Sequence, residues 1–214
     1  MDNRSIEGNI KILIVGNCAT GKTSICRRWL NKTFDVNYLP TIMCEYSYSV
    51  IERKNKLYKI QLWDIGGQDA SIHASNIMMK NTHGCIVVSD ITDRRSLEDT
   101  TKWKKLIDEN QKFVDESDLP FVLLQNKCDL VNESEINDDD YELNRFAKAD
   151  GYINVFKTSA KEGININEAF NCLTDEIIRR LEIYNESNSK QKKEENISFS
   201  LSNKSRIPKS KGCC

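Results

Sequence analysis

Eight residues near the amino terminus, Gly16-Asn17-Cys18-Ala19-Thr20-Gly21-Lys22-Thr23, have the spacing G-x-x-x-x-G-K-[ST]. Glycines let backbone N–H groups turn inward around phosphate oxygens, and a helix beginning at Lys22 points its positive end at them. Lys22 suits the β- and γ-phosphates of a nucleotide, and the Thr23 hydroxyl suits Mg²⁺. Alone, this loop fits a kinase, an ATPase or a switch. A second constellation narrows the ligand. In Asn126-Lys127-Cys128-Asp129, a carboxylate can accept from both guanine N1–H and the exocyclic amine, a donor pair that adenine lacks. A site built on that pairing discriminates by roughly 10⁴-fold, because the wrong base leaves the carboxylate unpaired. Asn-Lys-x-Asp by itself is equally a polar turn; downstream of a phosphate loop it reads as base recognition. Ser159-Ala160-Lys161 is a further loop of this kind.

These loops need a frame. Ile12-Leu13-Ile14-Val15, ending in Gly16, is a short β-branched run that suits a buried strand. Leu57–Trp63 alternates apolar and polar residues, and with Cys44–Ile51 and the polar stretch Glu52–Lys56 it predicts an antiparallel hairpin. Further strands are expected at Cys85–Ser89, Phe121–Gln125 and Ile153–Phe156, with helices over residues 22–31, 95–110 and 140–149. Phe170, Leu173, Ile177 and Leu181 make one apolar stripe of a last helix. Such alternation predicts an α/β fold of three layers, a mostly parallel sheet covered by helices on both faces. Asn126–Asp129 and Ser159–Lys161 then follow parallel strands at their carboxyl ends, where such sheets hold ligands.

The 214 residues carry 31 Lys+Arg against 32 Asp+Glu, a near-neutral balance that argues against a nucleic-acid coat. The total of −1 divides into −5 for residues 1–184 (24 basic, 29 acidic) and +4 for residues 185–214 (7 basic, 3 acidic). No apolar run is long enough to span a bilayer, the start MDNRSIEGN lacks a signal peptide's apolar core, and Asp2 excludes N-myristoylation. Of eight cysteines, six are scattered singly with no C-x-x-C pair, as expected for reduced, mostly packed thiols. Cys213 and Cys214 end the chain, after a basic run holding Lys204, Arg206, Lys209 and Lys211. Three regions follow: an extension over residues 1–9, a globular domain over 10–184, and a tail over 185–214 rich in Ser, Asn and Lys that is expected to be disordered.

The set Gly16–Thr23, Thr41, Asp64-Ile65-Gly66-Gly67-Gln68, Asn126–Asp129 and Ser159–Lys161 resembles the Ras superfamily of small GTPases over residues 10–184. Trp63-Asp64, Asn-Lys-Cys-Asp and the terminal Gly-Cys-Cys are similar to its Rab branch. Ile65 and Ser-Ala-Lys-Glu-Gly-Ile-Asn-Ile-Asn-Glu-Ala at 159–169 resemble the Rab subgroup serving lysosome-related organelles. The resemblance implies a six-stranded sheet with one antiparallel strand, and a monomeric GTP/GDP switch in vesicle trafficking with slow Mg²⁺-dependent hydrolysis. It implies that Gly16, Ala19, Thr20, Gly21, Lys22, Thr23 and Ser24 hold phosphates, that Phe34 and Tyr38 flank the base and phosphates, and that Asn126, Lys127, Asp129, Ser159, Ala160 and Lys161 form the guanine pocket. Within this set, Ala160 N–H reads the guanine oxygen and Lys127 props up the phosphate loop. Thr23, Thr41 and Asp64 are the Mg²⁺ residues, Gly67 N–H touches the γ-phosphate, and Gln68 orients the attacking water with Lys22 as the compensating charge. Partners so implied are an exchange factor, a GTPase-activating protein, a prenylation escort, a GDP-dissociation inhibitor and trafficking effectors. Geranylgeranyl groups on Cys213 and Cys214 would hold the protein to the cytosolic face of an endomembrane.

Departures from the Rab pattern lie on both sides of Asp64: Gly66 stands where Ala is usual, and Cys44-Glu45-Tyr46 replaces Val-Asp-Phe. Asp69-Ala70-Ser71 replaces Glu-Arg-Phe, Met78-Met79-Lys80 replaces Tyr-Tyr-Arg, and Met43 stands where Gly is usual. They motivate an alternative, a GTP-binding adaptor with little or no hydrolysis. Tyr46 and Trp63 are expected either to be read by partners or to pack into the core. His73 and His83 read as surface or structural residues, Asp138-Asp139-Asp140 as a solvated run capping the next helix, and Cys18 as a thiol whose oxidation or alkylation would block nucleotide binding.

Overall fold

Ile10 to Val15 are six consecutive buried residues, the pattern of a strand covered on both faces. In the computed structural model, which describes residues 5–36, 40–67, 78–132 and 140–204, with side chains through Lys190, this run forms most of β1 (Ile6–Val15) at the centre of the sheet. The other strands are β2 (Cys44–Arg53), β3 (Lys56–Ile65), β4 (Gly84–Asp90), β5 (Phe121–Asn126) and β6 (Asn154–Lys157). Their order is β2-β3-β1-β4-β5-β6, parallel throughout except for β2 against β3. This is the expected six-stranded α/β sheet. β1 is flanked by β3 on one side and β4 on the other, so the chain reverses its winding there and the loop after β1 opens into the crevice at that point.

The helices are α1 (Lys22–Asn31), α2 (Arg94–Glu98), α3 (Thr100–Asn110), α4 (Asp140–Ala149) and α5 (Ile166–Lys204). The single helix expected over 95–110 is two, because Asp99 serves as both the last cap of α2 and the first of α3. The hairpin turn is tighter than its polar stretch suggests: Arg53 faces Lys56, leaving only Lys54 and Asn55, at φ 51° and 64°. That pair of left-handed residues matches the twist of the strands. β1 starts at Ile6, four residues before the expected domain boundary, with Ile6 and Gly8 opposite Leu57 and Tyr58.

Phe170, Leu173 and Ile177 are fully buried, and Trp29 of α1 stacks on Phe170 at 4.5 Å. A side chain at Gly84 would meet the Ile177 and Leu173 methyl groups at 2.7 and 3.0 Å, so the glycine is what lets α5 lie this close to β4. The chain divides into two compact units, residues 1–177 and 178–214. In the second, α5 continues to Lys204, so the change of composition after Tyr184 is not marked by a break in the backbone. Residues 185–204 contain no Gly or Pro. A composition too polar to build a core can still extend a helix already nucleated. Among the described residues no helix is long and apolar enough to cross a membrane.

Candidate nucleotide and magnesium site

The loop between β1 and α1 takes left-handed φ values at Gly16 (137°), Ala19 (61°) and Gly21 (95°). A Cβ on Gly16 would lie 2.1 Å from the Val88 carbonyl oxygen. Gly21 caps α1 without any side chain to satisfy the first-turn N–H groups, leaving donors that suit an anion. Lys22 is buried and donates to the carbonyls of Gly16 and Asn17, both at 2.8 Å. Burial pulls its pKa below the usual lysine value, so an anionic partner restores what desolvation takes away.

The loop is fixed from behind. Asn17 Nδ2 donates to the Asp99 carboxylate at 2.9 Å, and Trp103 Nε1 donates to Asn17 Oδ1 at 3.0 Å. Thr20 Oγ1 donates to the Asn17 carbonyl at 3.0 Å.

Thr23, Thr41 and Asp64 converge beside Lys22. The Thr23 and Thr41 hydroxyls lie 2.8 Å apart, Thr23 Oγ1 donates to Asp64 Oδ2, and Thr41 Oγ1 donates to the same oxygen at 3.5 Å. Asp64 is buried, and burial raises its pKa to about 6 against the opposing pull of Thr23 and Lys22. Its Oδ1 is buried with no hydrogen-bond partner. Two hydroxyls and a carboxylate with an orphaned oxygen form the donor set that a hard divalent cation takes, and these residues fit Mg²⁺. Gly67 lies against the phosphate loop so closely that a Cβ would stand 2.4 Å from Cys18 N and 2.7 Å from Gly16 O.

At the other end, Asn126 is buried at the tip of β5. Its Nδ2 donates to the Thr20 carbonyl at 2.8 Å, and its Oδ1 accepts from Ala160 N at 3.2 Å and Thr158 Oγ1 at 3.3 Å. Asp129 Oδ1 accepts from Ser159 Oγ at 2.5 Å, with the Lys161 ammonium 3.9 Å from Oδ2. Lys127 pairs with Asp90 at 2.5 Å, so its ammonium is directed to β4, and the tie from this motif to the phosphate loop is made by Asn126.

One cavity of about 360 Å³ joins both ends. Ala19, Gly21, Lys22, Thr23, Ser24, Phe34, Thr41, Gly67, Asn126, Lys127, Asp129, Ala160 and Lys161 line it, whereas Gly16, Thr20, Asp64 and Ser159 are not among its lining residues and support it through the contacts above. Tyr38, Gln68, His73, Asp138, Asp139, Cys213 and Cys214 lie outside the described residues. Cys18 is exposed and lines the cavity. None of the six described cysteines is disulfide-bonded. His83 is a structural residue whose Nδ1 accepts from Lys11 N at 3.1 Å. Asp140 opens α4 and pairs with Lys157 at 2.7 Å. Tyr46 is 46% exposed and meets Trp63 edge-on at 5.4 Å. The sequence reading missed Asn17, Arg28, Asp90, Asp99 and Trp103, because their partners lie far away along the chain. Only the polar type of Asn17 inside the loop hinted at a tie.

A profile of the Ras family matches residues 11–179. The chain is similar to Ras-related protein Rab-32A of Dictyostelium discoideum, 37% identical over 171 residues that cover 79% of this chain and 78% of the relative. It is 35% identical over 169 residues to Ras-related protein Rab-32 of Sus scrofa, covering 78% of this chain and 74% of the relative. With Ras-related protein Rab-7L1 of Homo sapiens it shares 30% identity over 170 residues, 79% of this chain and 82% of the relative.

Proposed function

Because this chain belongs to the Ras family of small GTPases, in its Rab branch among relatives of Rab-32, we propose that it is a GTP/GDP-dependent switch of vesicle trafficking that hydrolyses GTP slowly with Mg²⁺. The observation that supports this most directly is the meeting of Thr23, Thr41 and Asp64, whose Oδ1 has no partner, beside Lys22 at one end of the cavity that has Asp129 at the other. In this reading Asp129 takes the guanine N1–H and amine. The Ala160 N–H, which donates to Asn126 Oδ1 at 3.2 Å in the structure, is shared with the guanine oxygen once the base enters; Phe34 and Tyr38 cover the bound nucleotide, and Ser24 and Ala19 complete the phosphate wall. Mg²⁺, when bound through Thr23, Thr41 and Asp64, supplies charge neutralisation at the phosphate oxygens.

Thr41 and Gly67 lie in the two segments beside the phosphate loop, so each is placed to sense whether a γ-phosphate is there. Partners that read those segments, namely exchange factors, activating proteins, a GDP-dissociation inhibitor and effectors, would thereby read the nucleotide. Gln68 aligns the water. With no arginine assigned to neutralise the transition state in cis, hydrolysis is slow until an activator supplies one worth roughly 10³- to 10⁵-fold. Residues 10–184 serve as the GTPase domain, with its first strand reaching back to Ile6 into the extension of residues 1–9, and residues 185–214 serve as the tail. Geranylgeranylated Cys213 and Cys214, with the basic run before them, hold the protein on an endomembrane.

Single-turnover hydrolysis of GTP and ATP, with and without Gln68→Leu, tests the reaction. Slow GTP cleavage that Gln68→Leu suppresses, with ATP inert, is expected. A wild type that leaves GTP intact would favour the adaptor reading, and ATP preferred over GTP would defeat the base assignment. Mass spectrometry of cell-derived protein tests the anchor, which two unmodified terminal cysteines would refute.

A further inference from the structure

Helix α1 touches the proposed nucleotide site at both ends. Its first turn carries Lys22 and Thr23. Arg28, further along the same helix, turns the Nε–Nη2 edge of its guanidinium group toward the loop that is read here as the base pocket. Arg28 Nε donates to the Ala160 carbonyl at 2.7 Å, Nη2 donates to the Lys161 carbonyl, and Nη1 donates to the Lys32 carbonyl at 2.8 Å. The first two acceptors are 132 and 133 residues away in sequence. A planar fork donating to two adjacent carbonyls fixes both the position and the tilt of the peptide between them, and charge on the donor strengthens each bond.

The peptide units around Ala160 are thereby held from two sides. The Ala160 N–H is held by Asn126 Oδ1 at 3.2 Å, and its C=O by Arg28. The far end of α1 is anchored as well: Lys32, its carboxyl-terminal cap at φ 59°, accepts from Arg28 Nη1 through its carbonyl and donates its ammonium to Asn167 Oδ1 at 2.9 Å. Trp29, next to Arg28, stacks on Phe170 at 4.5 Å. Gly163, at φ 80°, closes the turn after Lys161, and a Cβ there would come within 3.7 Å of Arg28 Cδ.

We propose that Arg28 is a positioning residue for guanine recognition, locking the Ala160–Lys161 backbone to α1 so that one helix holds the phosphate end and the base end in a single frame. Arg28 does not itself contact the nucleotide; it acts through the Ala160–Lys161 loop. Nucleotide release then requires this tie to yield, and weakening it loosens the base end first. The inference rests on reading Asn126–Asp129 and Ser159–Lys161 as the guanine pocket.

The test is dissociation of a fluorescent GDP analogue from full-length protein at saturating Mg²⁺, repeated across a Mg²⁺ titration, for wild type, Arg28→Met, Arg28→Lys and Asp129→Ala. Arg28→Met, which keeps the apolar stem and removes the fork, is expected to release GDP about 10- to 100-fold faster, for two charge-assisted bonds lost from the loop. Its Mg²⁺ concentration for half-maximal retention should stay within about twofold, since the metal end is untouched. Arg28→Lys keeps the charge without the fork and falls between, at least about fivefold faster than wild type; it also serves if Arg28→Met does not accumulate. Wild-type release in either variant, with Asp129→Ala still weakening GDP, overturns the role of Arg28 and leaves the pocket standing. A Mg²⁺ midpoint that shifts in parallel with release also overturns it, as general loosening. An unaffected Asp129→Ala defeats the pocket assignment itself.

Discussion

Replacing Asn126 by alanine should uncouple the two halves of the nucleotide site. The amide joins the phosphate loop, through Thr20 O at 2.8 Å, to the base loop, through Ala160 N at 3.2 Å, and it also accepts from Thr158 Oγ1 at 3.3 Å. All three bonds are lost at once in a buried place, so the partners left behind cannot be fully repaid by water. At about 1 kcal/mol net for each bond the loss is about 3 kcal/mol, or about two decades in affinity. GDP affinity should therefore fall about 100-fold, chiefly through faster release. GTP should weaken to the same degree, because none of the three partners belongs to the segments beside the γ-phosphate. Stopped-flow displacement of a fluorescent analogue gives the release rates, and titration calorimetry gives the affinities. Gly21→Ala supplies an independent route to the same break, since its Cβ would stand 2.3 Å from Asn126 Nδ2. Release within about threefold of wild type in Asn126→Ala, or a loss confined to GTP, would show that Asn126 does not couple the two loops.

Three further outcomes are open to direct measurement. Gly67→Ala forces a methyl into the phosphate-loop backbone, 2.4 Å from Cys18 N; single-turnover GTP cleavage should fall at least about tenfold while GDP release changes little, and equal effects on both would count against it. His83 is held neutral by burial, helped by Lys11 nearby, which lowers its pKa. The unfolded chain takes up the proton first as pH falls below the ordinary histidine value, so its stability contribution is present near pH 7 and is lost as the pH falls below that value. Melting temperatures across that range should fall more steeply in wild type than in His83→Gln, and parallel curves would refute the assignment. Gly84→Ala presses a methyl against Ile177 and Leu173 and should cost about 1–3 kcal/mol in a urea melt.

The parts legible in the sequence are those whose signal is local. Ile12–Val15 followed by Gly16 announces a buried strand and its loop within five residues, and Leu57–Trp63 shows its alternation directly. The Asn126–Asp129 and Ser159–Lys161 motifs likewise sit where strand ends place them. What stayed hidden depends on distant partners. Asn17 looks like any loop residue until Asp99 and Trp103, more than eighty positions away, take hold of its amide. Lys127 carries the expected charge, yet Asp90 determines where it points. Lys11 sits in a central strand, where an ammonium is unexpected, and is accommodated by the Met78 and Lys80 carbonyls and the Trp63 ring. The break at Asp99 escapes because one residue ending one helix and starting another leaves the periodicity nearly intact.

The placement of β1 also governs how the chain can be built during synthesis. The first strand made is the central one, and its neighbours arrive late: Ile12 pairs with Leu62 on one side and Gly84 on the other. At about 5–20 residues per second, the ribosome needs roughly 4–14 s to deliver the β4 partner. Throughout that interval Ile10–Val15 is a bare apolar edge, the kind of segment that invites aggregation or a chaperone. Long-range parallel pairing of this sort slows folding further, because the closure of each loop is costly before any contact rewards it. Ser159–Lys161 emerges last of all the ligand loops, so nucleotide capture can seal the domain only when its translation is nearly complete.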